Sequence, residues 1–239
     1  MKSNVVPTRF VDTLVTAFER HRDAERAVAM SAYMRNRFAF YGIASVPRAQ
    51  ILKSVCEEAG FPSPDEARSI VRLLWELPER ELQYAAVDIM LRLKRHFTTD
   101  DVPLLEDLIT AKSWWDTVDS LAPRIAGPVF AADPANMTPV IRRWIHHPDF
   151  WLNRSAIILQ LGYKDRTDTD LLTHAIRPHL GSREFFLRKA IGWALRQYSY
   201  TDARWVTEFV ASHDLSPLSE REALKALRRT AERVQRARR

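Results

Sequence analysis

The stretch Glu81-Leu82-Gln83-Tyr84-Ala85-Ala86-Val87-Asp88-Ile89-Met90-Leu91-Arg92-Leu93 decides the fold class. Leu82, Ala85, Ala86, Ile89, Met90 and Leu93 recur every three or four residues, so on an α-helix they form one apolar stripe. A half-buried strand needs strict alternation instead, and neither alternating runs nor Asn-Gly or Asp-Gly hairpin turns occur. The apolar run Ala190-Ile191-Gly192-Trp193-Ala194-Leu195 continues a longer helical pattern and reads as buried helix. Thirteen prolines punctuate the chain, with Pro47, Pro64, Pro78, Pro103, Pro134 and Pro148 at the starts of helix-like segments. Phe38-Ala39-Phe40-Tyr41-Gly42-Ile43 reads as the end of a helix closing at Gly42. The fold expected is all-α, with about a dozen or more short helices.

The helices carry a loose repeat. Phe150-Trp151-Leu152-Asn153-Arg154-Ser155-Ala156 lies 35 residues before Phe185-Phe186-Leu187-Arg188-Lys189-Ala190-Ile191. Steps of 35 back from the first block land on Trp115-Asp116-Thr117-Val118-Asp119-Ser120-Leu121 and then on Arg80-Glu81-Leu82-Gln83-Tyr84-Ala85-Ala86. That period suits one helical hairpin per unit, and about six to seven HEAT-like hairpins fill the chain. The expectation is a curved α-solenoid forming a single domain over residues 1–239, with 220–239 as a basic C-terminal helix or tail. In this register Trp115, Phe150 and Phe185 share one position, and Asp119, Arg154 and Lys189 follow one helical turn later. Two readings fit: a groove lined with aromatics and charges, or core aromatics beside a solvated charged face.

The chain has 239 residues, 46% of them hydrophobic and 28% charged, which excludes wholesale disorder. A single cysteine, Cys56, excludes an internal disulfide and a Cys-rich zinc site, and its apolar neighbours mark it as core. Six isolated glycines exclude a phosphate-cradling Gly-rich loop. No apolar run is long enough to span a bilayer, and Met1–Phe10 lacks the apolar region of a signal peptide, so a cytoplasmic protein is expected. The formal charge of +6 invites a nucleic-acid reading. Between Glu220 and Arg239, however, eight basic residues face three acidic ones, which leaves the other 219 residues near +1. The placement of charge inside the body therefore carries more information than its sum.

Lys112-Ser113-Trp114-Trp115-Asp116-Thr117-Val118-Asp119 is the most unusual stretch. Adjacent tryptophans on a helix point about 100° apart, so one packs inward while the other faces a groove. Trp115 and Asp119 stand at i and i+4, where an indole face and a carboxylate can hold a cation between them. The alternative is a buried Trp pair with Asp116 or Asp119 serving as a cap or ion pair. Arg142, Arg143, Trp144, Trp151 and Arg154 interleave basic and aromatic residues as a phosphate-tracking groove would, and Arg183, Arg188, Lys189 and Arg196 surround Phe185, Phe186 and Trp193. His146 and His147 are adjacent and share no face, so no metal site is expected.

These blocks together resemble the AlkD family of bacterial DNA alkylation-repair glycosylases, which are built from HEAT-like helical repeats. The resemblance rests on Ser31-Ala32-Tyr33-Met34-Arg35-Asn36, on Leu74-Trp75-Glu76-Leu77-Pro78-Glu79-Arg80-Glu81 and on the Lys112–Asp119 stretch. It continues through Trp151-Leu152-Asn153-Arg154 and from Glu184-Phe185-Phe186 to Trp193-Ala194-Leu195-Arg196. It covers almost the whole chain and is poorest in the first ten residues and beyond Arg221. It implies a metal-free, cofactor-free monofunctional glycosylase that excises cationic N3- and N7-alkylated purines, such as 3-methyladenine and 7-methylguanine, from duplex DNA. By position, Asp119 matches the family's catalytic carboxylate, and Trp115 and Trp193 its active-site tryptophans. Arg154 matches its DNA-contacting arginine, Tyr33 an aromatic near the lesion backbone, and Arg196 a phosphate contact. Lys112, Arg142, Arg143, Phe185, Phe186, Arg188 and Lys189 complete the expected DNA-facing set. The protein is expected to act as a monomer without a membrane. The alternative is a non-catalytic repeat scaffold that binds DNA structure or a protein partner.

Overall fold

The computed structural model describes residues 5–237. Expectations that fall on residues 1–4 and on Arg238 and Arg239 lie outside the described residues, as does the side chain of Arg236. The fold is all-helical, and it groups into two compact units, Met1–Phe97 and Thr98–Arg239.

The first unit holds α1 (Pro7–Arg20), α2 (Ala24–Tyr33), α3 (Ser45–Ala59), α4 (Pro64–Glu76) and α5 (Arg80–Arg92). Helix α5 is the stretch quoted first, and every member of its stripe from Leu82 to Leu93 is buried. Its partners are α3 and α4, which bury Leu52, Ile70 and Leu74, and α1 adds Phe10, Leu14 and Phe18. Helix α4 starts on Pro64 behind a capping box, in which Ser63 and Glu66 each bond the other's backbone N–H. The chain around Gly42 differs from the helix end expected there. The segment from Met34 to Ala44 is loop, so Gly42 ends no helix. Gly42 has φ +90°, and a Cβ there would lie 2.1 Å from the Asp23 carbonyl oxygen. The loop is held by a carboxylate instead: Tyr41, Gly42 and Ile43 donate their N–H groups to Glu81 at 2.8–3.0 Å.

The second unit holds α6 (Val102–Thr110), α7 (Trp115–Leu121), α8 (Gly127–Ala132), α9 (Pro134–Ile145), α10 (Phe150–Ile158), α11 (Thr169–Ile176), α12 (Phe185–Tyr198), α13 (Ala203–Ser212), α14 (Pro217–Ala223) and α15 (Lys225–Ala237). A π-helical turn, Ala122–Ala126, joins α7 to α8 and contains Pro123, whose missing N–H suits such a break in the i→i−4 ladder. The core gathers Leu105, Val118, Ile125, Trp144, Ile157, Ile191 and Leu195.

Helices begin at Ser45, Arg80, Trp115, Phe150 and Phe185, spaced 35 residues apart. A local device sits at the fourth residue of two of them. Gln83 Nε2 donates to the carbonyls of Leu74 and Leu77, nine and six residues back. Asn153 Nδ2 donates to Trp144 and His147, again nine and six back, and to Ile145 as well. Each buried amide thus satisfies the orphan carbonyls at the C-terminal end of the preceding helix and fixes the turn into its own.

Candidate active site

The Lys112–Asp119 stretch is shaped by the turn before α7. Lys112 takes a left-handed φ of 52°, and Ser113 Oγ donates to the Thr110 carbonyl at 2.7 Å, which closes α6 and swings the chain round. Trp114 is then the extended N-cap of α7 and Trp115 its first helical residue, so the two indoles diverge. Trp114 packs inward against Trp151 and Phe186, with ring centroids 5.9 and 5.0 Å away. Trp115 faces an open cleft of about 270 Å³ lying wholly within the second unit.

Trp115 and Asp119 line this cleft from α7 and Arg154 from α10. Phe185, Phe186, Lys189, Trp193 and Arg196 line it from α12, and Glu222 from α14. The 35-residue register thus brings together Asp119 and Arg154, each four residues after the first residue of its helix. Arg154 Nε donates to Asp119 Oδ1 and Nη2 to Oδ2, both at 2.8 Å, across a sequence separation of 35. Nη1 donates to the Phe186 carbonyl at 2.6 Å. This is a planar two-point clamp, and it fixes the direction of the carboxylate. The Arg154 side chain is 5% exposed and that of Asp119 19%, so the cleft meets the carboxylate before the guanidinium. Burial pushes the Asp119 carboxyl above its ordinary value, the Arg154 hydrogen bond and charge pull it back, and the charge of Asp116 adds to the rise.

Sequence reasoning missed Glu222 as a cleft residue. Its carboxylate accepts from Arg196 Nη1 at 2.6 Å and lies 3.1 Å from Lys189 Nζ. Burial raises its pKa, but the Lys189 bond and the charges of Lys189, Arg196 and Lys225 outweigh that, and the carboxyl lies below its usual range. The close approach depends on Gly192, where a Cβ would stand 2.5 Å from Glu222 Cβ and 2.8 Å from the Ser219 carbonyl. Ser219 Oγ also donates to the Arg188 carbonyl at 2.9 Å, tying α14 to α12. An isolated glycine inside an apolar helix was the visible signal of such an approach, although it does not name the partner.

The other expected site residues are not among those that line the cleft. Tyr33 is exposed at the end of α2, in the first unit. Lys112 stands in the turn before α7, outside the cleft lining. Arg142 and Arg143 lie on α9, also outside that lining, and Arg143 is ion-paired with Glu106, which accepts from Trp144 Nε1 as well. Arg188 is half-buried on α12, with its Nε buried and unpaired. The arginine expected to touch DNA, Arg154, has donors on all three guanidinium nitrogens engaged inside the protein. Among the described residues, no group of three or more His, Cys, Asp or Glu side chains is arranged to hold a metal, and no helix is long and apolar enough to cross a membrane.

The family model described as DNA alkylation repair enzyme matches residues 14–227. The chain belongs to the DNA alkylation repair enzyme family. A solved structure, described as a predicted DNA alkylation repair enzyme from Enterococcus faecalis, is 34% identical and superposes with a TM-score of 0.80. That match covers 86% of this chain and 96% of the other. No curated protein matches the sequence. The span matched by the DNA alkylation repair family holds every residue of the cleft, Glu222 included, and stops short of most of α15.

Proposed function

We propose that the protein is a glycosylase that hydrolyses the N-glycosidic bond of cationic N3- or N7-alkylated purines in duplex DNA. The observation that carries this reading is one carboxylate, Asp119, clamped at two points by Arg154 and facing a cleft walled by Trp115 and Trp193.

An N3- or N7-alkylated purine already carries positive charge and leaves readily. The remaining barrier is the positive charge that develops on the deoxyribose as the bond breaks. A carboxylate fixed in advance stabilises that charge without having to reorganise. At about 4 Å and an effective dielectric of about 20 the attraction is about 4 kcal/mol, worth roughly three decades in rate. Arg154 acts here as the positioning residue. It occupies one direction on each oxygen of Asp119, leaving the others for the sugar cation or for an attacking water to which Asp119 is the base. Trp115 and Trp193 offer π-faces to the charged nucleotide. Lys189 and Arg196 supply positive charge at the rim for the DNA backbone.

The test is base release from methylated duplex DNA with EDTA present. Release of 7-methylguanine or 3-methyladenine under these conditions supports the reading. Tight binding without release points instead to a non-catalytic scaffold, and release that requires a metal contradicts both.

A further inference from the structure

The cleft holds three cations and two carboxylates, and the chemistry proposed above uses only one of the carboxylates. Glu222 stands behind Lys189 and Arg196: its side chain is 13% exposed, against 38% for Lys189 and 26% for Arg196. An anion approaching from solvent therefore meets the two cations first. Each carboxylate oxygen serves a different cation, Oε1 facing Lys189 Nζ and Oε2 accepting from Arg196 Nη1. An ammonium and a guanidinium carry more donors than these contacts consume, so donors remain for a second anion. Lys189 and Arg196 lie two turns apart on α12, on either side of Trp193, and without a shared anion their like charges would drive two flexible side chains apart.

We propose that Glu222 is a positioning residue that keeps Lys189 and Arg196 converged beside Trp193 as a seat for one DNA backbone phosphate. Gly192 belongs to the same device, because only the absence of a Cβ there lets α14 bring Glu222 this close to α12. The proposal rests on the reading of this cleft as DNA-facing, but not on base release.

The sign of the effect makes it testable. Counted as charge alone, Glu222→Gln removes an anion from a DNA-binding surface and should tighten binding. A positioning role requires the opposite. The measurement is the affinity of the full chain for an undamaged DNA duplex across a salt series, beside thermal unfolding of each variant. Glu222→Gln is expected to bind about fivefold more weakly, with the slope of log affinity against log salt reduced by about one. Adding Lys189→Ala to Glu222→Gln is expected to change the slope little further, since the seat is already lost. Gly192→Ala is expected to reproduce the weaker binding in a folded protein. Unchanged or tighter binding by folded Glu222→Gln, whatever its slope, overturns the proposal. Affinity and slope left unchanged by Lys189→Ala in the otherwise wild-type chain overturn the DNA-facing reading itself, a different result from the same series.

Discussion

Arg154 is the residue on which the site turns. Removing its guanidinium leaves Asp119 largely buried beside Asp116 without its ion-pair partner. Arg154→Ala is expected to destabilise the second unit by about 3 kcal/mol, the lower end for a broken buried ion pair because Asp119 keeps some access to solvent, read by thermal or chemical unfolding. It should also slow base release while Trp115 and Trp193 remain in place. Arg154→Lys should fall between, because an ammonium cannot reproduce the two-point clamp. The same environment sets a pH dependence. The proposed chemistry needs Asp119 ionised, and its folded pKa is raised above the ordinary aspartate value of 3.8. Activity should therefore be full well above that raised value and fall as pH drops through it, with the midpoint of the acid limb above 3.8. Single-turnover rates against pH check this, and a midpoint at or below 3.8 contradicts it. Arg154→Ala removes the downward pull, so its acid limb should move further up.

At the scale of elements, the amides Gln83 and Asn153 show how a weak repeat in sequence becomes geometry. Replacing Asn153 with Leu strips the donor from the carbonyls of Trp144, Ile145 and His147 in a buried turn. The expected loss is about 1–3 kcal/mol by chemical denaturation, and Gln83→Leu should act in the same direction in the first unit. Helix starts and the stripe of α5 were legible because apolar spacing and proline placement are local signals. Pro64 and Pro134 open α4 and α9, while Pro78 and Pro148 stand two residues before α5 and α10. The loop from Met34 to Ala44 was not legible, because its order comes from the Glu81 carboxylate about 40 residues away. The pairing of Asp119 with Arg154 could be reached through the repeat register. That the pairing engages Arg154 at both ends could not, since its second partner is a backbone carbonyl.

At the scale of the whole molecule, the charge of +6 is concentrated near the end of the chain, where Arg228, Arg229 and Arg233 are exposed on α15. None of these three lines the cleft, so their charge and the chemistry should separate. Replacing these three arginines with serine is expected to weaken binding to duplex DNA and lower its salt slope, while the base-release rate of the bound complex stays unchanged. Glu222 shows where sequence reading stops. It was counted among the acids of the tail, and only the approach permitted by Gly192 carries it into the cleft. The proposed chemistry is done by one carboxylate. The most direct measurement is single-turnover release of 7-methylguanine from duplex DNA by Asp119→Asn beside the wild type, with DNA affinity measured in parallel. Asp119→Asn is expected to release the base about 10²–10³-fold more slowly with affinity nearly intact. Release by Asp119→Asn at the wild-type rate would contradict it.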